Sequence, residues 1–287
     1  MTTATPAGHI ITWKVPSSVP VASLTAAMAA AHIPAELAGD LQPRHALSRA
    51  MRDLVKNQPR IARRLPKDDF GRPRMQITLE HLNGERLEYS REAIVTLMDD
   101  GRVVVSDAAN TADCAALGTE VDRLLGEHLA KRLTNDLTRL VQRVVDQAGA
   151  DLVPVREQGG AYFVPQGHDV VERLRILIEG IGGRLNTFAV TLGHGSEESI
   201  ADTLAEYLLG QIKELKDSVA DIGPGSRADV RNRRIQRAGE LRQRLDSYRS
   251  LLAASADRVT TELERVDAQL MAAVAEAVGA TMRLEGI

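Results

Sequence analysis

From Arg227 to Met282 the chain contains no proline and repeats apolar residues every eleven positions. Leu241, Leu252, Leu263 and Val274 form one row. Tyr248, Val259 and Leu270 form a second, and Val266 and Ala277 a third. Eleven residues over three turns is about 3.67 per turn, so the apolar seam runs nearly parallel to a helix axis. A continuous helix of about 55 residues would be roughly 80 Å long. A rod of that length needs a partner helix, from this chain or another.

The rest of the sequence must supply that partner from aliphatic material. Aromatic residues make up only 3% of the chain, which favours helix-on-helix packing over a β-sandwich. Hydrophobic and charged fractions of 44% and 26% are those of an ordinary soluble protein. Of the 36 basic residues, 30 are arginine, which together with abundant alanine points to a GC-rich bacterial or phage genome. The single cysteine, Cys114, excludes an internal disulfide and a cysteine-based zinc cluster. The N-terminal residues lack the basic and apolar regions of a signal peptide, and no apolar run approaches membrane-spanning length. The expectation is a cytoplasmic protein with no membrane partner.

Along the chain, His9 to Val15 reads as a strand, Val21 to His32 as a small helix and Pro43 to Val55 as a second helix with proline in its first turn. A basic linker, Asn57 to Pro73, follows. Residues 75 to 106 read as a four-stranded antiparallel meander with a hairpin at Asn83-Gly84. Asp113 to Ala148 carries one helical stripe and predicts a single long helix. A hairpin around Gln158-Gly159-Gly160, a helix over 169–181 ended by Gly182-Gly183, and a strand over 185–192 form a small α+β module. Helix 196–221 should fold back on the first part of helix 227–281, because Gly223-Pro224-Gly225 breaks the chain between them.

Two arginine clusters are candidates for binding chemistry. Between Arg44 and Arg74, ten cations face Asp53, Asp68 and Asp69, a local net charge of +7. Arg49, Arg52 and Lys56 share one predicted helix face, and Arg60, Arg63 and Arg64 extend the cluster. Such a stripe can track phosphates and release counterions. The competing reading is a solvated basic face. The second cluster, from Arg227 to Arg249, loads cations onto the start of a helix, against its dipole. That placement calls for an acidic partner, either a protein or a nucleic acid.

No catalytic constellation is legible. Gly193-His194-Gly195-Ser196 lies between a strand and a helix, but it lacks phosphate-loop spacing and is followed by Glu197 and Glu198. The seven histidines show no ligand spacing, so no metal and no cofactor are expected, and His128 reads as a helix-seam residue beside Val121 and Leu124. Cys114 reads as inert.

The sequence therefore predicts an α+β, helix-rich fold. It has small N-terminal helices with an antiparallel β-meander, a central small α+β module, and a long C-terminal helical hairpin or coiled coil. The expected segments are 1–108, 109–193 and 194–287. The expected function is a non-enzymatic structural or adaptor protein that self-associates through Val259, Leu263, Val266, Leu270 and Val274. The alternative is a nucleic-acid-binding protein using segments 44–74 and 227–249.

Overall fold

The computed structural model describes residues 6–83, 86–106, 111–155, 160–191, 193, 196–223 and 226–285. The chain begins with β1 (Gly8–Lys14), β2 (Ser18–Pro20), α1 (Val21–Ala30) and α2 (Pro43–Val55). Strands β3 (Arg60–Leu65), β4 (Arg74–Asn83), β5 (Arg86–Leu97) and β6 (Val103–Ser106) come next. Then follow α3 (Thr111–Leu129), β7 (Lys131–Leu133), α4 (Thr134–Gln147), β8 (Val153–Pro154), β9 (Tyr162–Pro165), α5 (His168–Gly180) and β10 (Arg184–Val190). The chain ends with α6 (Ser196–Ala220), α7 (Ala228–Leu252) and α8 (Ala256–Glu285). The fold is the mixed, helix-rich α+β architecture that the sequence predicts, with a C-terminal region in hairpin form.

Contacts gather these elements into two units, where the sequence suggested three consecutive segments. One unit takes Met1–Trp13, Val145–Glu172 and Leu185–Ile287, and the other takes Lys14–Val144 and Arg173–Arg184. Sheet pairing explains the discontinuity of the first. Its four strands run in the order β10-β1-β9-β8, so the start of the chain is stitched between distant segments. Gly8 allows this close pairing, because a Cβ there would lie 2.5 Å from the Val164 carbonyl oxygen.

In the same unit α6, α7 and α8 share one apolar core. The eleven-residue rows are all there, but the predicted single rod is not. Helix α7 ends at Leu252, and Ala253 adopts φ 45° and ψ −122° before α8 starts. The Arg242–Asp267 ion pair joins α7 to α8 across the resulting hairpin. Val259, Leu263, Val266 and Leu270 are at most 2% exposed and pack with Leu204, Leu208 and Leu241 of the same unit, and Val274 packs against that cluster. The apolar surface expected to require a second chain is thus covered from within. A left-handed alanine costs about 1–3 kcal/mol, which the doubled-over core must offset.

The same core accounts for most of the second arginine cluster. Arg234 Nε donates to the Ser218 carbonyl at 2.6 Å, at the electronegative end of α6. Arg231 donates to the Ser226 carbonyl, Arg237 to Gln211, and Arg233 pairs with Asp229 at 2.9 Å. Arg234 answers a C-terminal carbonyl of the antiparallel neighbour and the others meet a loop carbonyl, an amide and an aspartate, so these cations have acceptors within the unit.

The second unit is built on the sheet β3-β4-β5-β6, antiparallel throughout. Its first strand lies within the predicted linker. Arg60 to Leu65 pair with Leu79 to Arg74 as an edge strand, whose charges protect the unpaired edge. Conversely, β5 is one strand across both the second and third predicted strands. Helices α2 and α3 pack on this sheet through Ala46, Leu47, Ala50, Met51 and Leu54 of α2 and Val121, Leu124 and Leu125 of α3. His128 is buried as predicted, with the addition that its Nε2 lies 2.9 Å from Asp53 of α2.

The long helix predicted over 113–148 is interrupted. Lys131–Leu133 leave the helix to pair with Ser18–Pro20. Asp136 then restarts it by accepting the Leu133 N–H at 3.0 Å, the backward half of a capping box. Among the described residues, no helix is long and apolar enough to cross a membrane.

Burial of the C-terminal rows within one chain has a testable consequence. Leu263→Asp should lower stability by about 3–5 kcal/mol, since it places an uncompensated charge in a closed core. The midpoint of denaturant unfolding should fall, while sedimentation of the wild type at low and high micromolar concentration should give the same mass. A wild type that sediments as a dimer, and is converted by this change into a folded monomer, would contradict the assignment.

Candidate functional site

Helix α2 runs along the edge strand β3, and a groove lies between them. Its two hollows, of 320 and 420 Å³, share Ser48, Arg64 and Met75 and so form one continuous feature. Pro43 opens α2 in its first turn, where a missing N–H costs nothing. Asn57, at φ 60°, turns the chain out of the helix and Pro59 leads it into β3. This tight return puts the basic strand beside the basic helix.

Helical periodicity then decides which cations face the groove. Arg44, Ser48 and Arg52 recur every four residues and line it from the helix side. Strand alternation aims Arg60, Ala62 and Arg64 at the same space. Lys67 and Arg74 line its far end. Arg64 Nη2 reaches across to Ser48 Oγ at 3.4 Å. No carboxylate lines either hollow among the described residues. Two unit charges about 8 Å apart in water repel by about 0.5 kcal/mol, so grouping cations without counter-charges does not help folding.

The sequence-predicted residues separate. Arg52 and Arg64 lie in the groove. Lys56 is exposed at the end of α2. Arg60 is in the groove but is neutralised: its Nε donates to Glu92 at 2.8 Å. A register shift opposite Ile77 and Thr78 leaves Glu92 as the extra residue of a β-bulge, re-aimed at that arginine. Arg63 points to the other face of the sheet, beside Gln76, Thr78 and Tyr89.

Arg49 is a correction, for it does not share an exposed face with Arg52. It forms two hydrogen bonds of 2.8 Å to Asp136 and is mostly buried. Burial works to raise the Asp136 carboxyl, but the Arg49 hydrogen bonds and the Leu133 N–H outweigh it and hold the group below its ordinary value. The same hydrogen bonds raise the Arg49 guanidinium. Arg44, Lys67 and Arg74 belong to the basic segment 44–74 but not to the residues singled out within it, and Ser48 carries no charge to mark it; reading 57–73 as a linker hid the strand that brings Arg64 and Lys67 beside the helix. Alternation of Arg60, Ala62 and Arg64 was the available signal for a strand.

A smaller hollow of 210 Å³ holds Arg132, Arg139 and Arg143, with Asp40 and Asp136 among its walls. Arg143 donates to the Leu37 and Ala38 carbonyls, so it serves the local backbone.

The other unit contains a buried polar network around Asp151. Asp151, 2% exposed, accepts the Tyr248 hydroxyl at 2.8 Å and the Tyr207 hydroxyl at 3.2 Å, and it lies 3.2 Å from Arg244 Nε. Burial first, then the Asp151 charge, push both tyrosine hydroxyls well above their ordinary values. Both hydroxyls donate to the carboxylate, so the network ties the loop to the bundle. Burial likewise raises the Asp146 carboxyl in the adjoining 440 Å³ hollow. Among the described residues no group of three or more histidine, cysteine or acidic side chains is placed to hold a metal ion. Of the glycine-rich segment after β10, His194 and Gly195 fall outside the described residues, as do Arg156 and Gln158-Gly159.

The chain belongs to a family of unknown function, DUF6744, whose profile matches residues 7–280. No curated protein and no solved structure matches it.

The separation of Arg49 from Arg52 can be measured. Arg49→Gln should cost about 1–3 kcal/mol of stability, because it leaves the Asp136 carboxylate short of its partner. Arg52→Gln should change stability by no more than about 0.5 kcal/mol. Since the Asp136 carboxyl is lowered in the folded state, its contribution is present above the ordinary carboxylate value and is lost as pH falls through the folded one. Acid unfolding of Arg49→Gln should therefore be less steep than that of the wild type. Equal losses from both variants would place Arg49 and Arg52 in the same role.

Proposed function

We propose that this protein is a non-enzymatic, cytoplasmic nucleic-acid-binding protein, and that the groove between α2 and β3 holds a phosphodiester backbone. One observation carries the reading. Arg44, Arg52, Arg64, Lys67 and Arg74 line a single elongated groove, and none has a carboxylate partner among the described residues. A polyanion is the ligand that neutralises several cations arranged along a line, and release of its counterions supplies the free energy. With a net charge of −3 the chain as a whole does not attract nucleic acid, so binding would depend on local basic features such as the groove.

The self-assembling adaptor is the weaker reading, since the apolar rows that motivated it pack inside one chain. The arginines of α7 contribute little to either reading, because most of them are engaged within their own unit.

Replacing Arg52, Arg64 and Lys67 together with glutamine tests the proposal. Fluorescence anisotropy with a labelled mixed-sequence oligonucleotide should show the variant binding more weakly at about 50 mM salt. The slope of log K against log salt should flatten by about 2–3, at roughly 0.7–0.9 per lost phosphate contact. The loss should be similar for unrelated sequences, because phosphate contacts carry no base information. Absence of wild-type binding at that salt would make the groove an ordinary solvated face.

A further inference from the structure

The loop joining β3 to β4 runs between Lys67 and Arg74 of the groove and carries an exposed aromatic ring. Phe70 is 76% exposed, although the chain contains only three phenylalanines. The loop around it is tightly built. Asp68 Oδ1 accepts the Phe70 N–H at 3.1 Å and the Arg72 N–H at 2.8 Å, and the Asp68 carbonyl accepts the Gly71 N–H at 2.9 Å. Gly71 sits at φ 79°, which a larger residue adopts only with strain. None of these bonds uses the Phe70 side chain. A turn in this position is served by polar residues, so the ring needs another explanation.

The ring is also held in place. The Arg72 guanidinium carbon lies 4.5 Å from the Phe70 ring centroid, a cation–π contact that covers one face. Arg72 is anchored in turn, with Asp68 at 4.0 Å and Asp99 at 3.6 Å. Most of the remaining ring surface is open to solvent. On either side in sequence, Lys67 and Arg74 line the cationic groove.

An anchored aromatic face, with the groove cations Lys67 and Arg74 to either side of it in sequence, is the arrangement that stacks a nucleobase while its phosphates are held. Duplex bases are already stacked on each other, so only a single strand offers a free base face. We infer that Phe70 is a base-stacking platform and that the groove takes single-stranded nucleic acid in preference to duplex. This inference rests on the groove being the phosphate-binding site, and it adds the substrate class.

The test uses the full chain with labelled oligo(dT) and a mixed-sequence duplex of equal length at low salt. Phe70→Ala should weaken oligo(dT) binding about 10-fold, within the range one base–aromatic stack supplies, with the salt slope unchanged. Duplex affinity should not move, and Phe70→Trp should restore oligo(dT) binding. Thermal melting should match the wild type, since the side chain is exposed. If the wild type binds and Phe70→Ala binds oligo(dT) equally well, the stacking role is wrong while the groove reading stands. If the alanine variant loses affinity for duplex and single strand alike, the single-strand preference is wrong. If the wild type binds neither probe, the groove reading fails and takes this inference with it.

Discussion

Helix α2 can lie on its sheet in only one rotation, because Ala46, Leu47, Ala50, Met51 and Leu54 must all be covered. Each large apolar side chain buried there is worth about 1.5–3 kcal/mol, so a turn of the helix about its axis would forfeit most of the core of that unit. That rotation settles everything polar on the helix. It delivers Arg49 to Asp136 and Asp53 to His128 on the sides that meet α4 and α3. What remains is the face carrying Arg44, Ser48 and Arg52, opposite the basic edge strand. The groove is a by-product of packing in its position, but not in its charge. Packing does not ask for six cations in one groove, and neutralisation by Glu92 reaches only Arg60.

The three-helix unit solves a different problem. With so few aromatic residues, its core has to be assembled from rows of leucine, valine and alanine, and two antiparallel helices present such rows to each other as well as two chains would. The strained turn at Ala253 is what makes one chain sufficient. Once α7 lies against α6, its Arg234 meets the Ser218 carbonyl, which α6 cannot satisfy by itself. Asp151 then ties the preceding loop to the bundle through Arg244 and two tyrosines, a network that stabilises only because every member is partnered.

Membership of the family establishes kinship along nearly the whole chain without conveying a function. The functional reading therefore stands on electrostatics and geometry. Both arginine clusters are alike in composition, yet they differ in what surrounds them. One is consumed by helix ends and aspartates of its own unit. The other faces open space across a groove, and the loop between its Lys67 and Arg74 carries an exposed ring.

Much of this was legible in the residues. Proline in the first turn marked α2, apolar periodicity marked α6 and the α7–α8 region, alternation marked the pairing of β4 with β5, and the density of arginine between residues 44 and 74 marked the candidate site. These signals are local: spacing along the chain fixes which side chains share a face. Other outcomes were not local. Nothing near Ala253 announces a reversal, since neither glycine nor proline stands there and the eleven-residue spacing runs through the turn. The break in helix 113–148 depends on strand pairing with Ser18–Pro20, residues more than a hundred positions away. The division of Arg49 from Arg52 depends on where Asp136 arrives. Sequence spacing determined which cations could act together, and only the tertiary structure decided which were already neutralised, because a charge finds its partner through space and not along the chain.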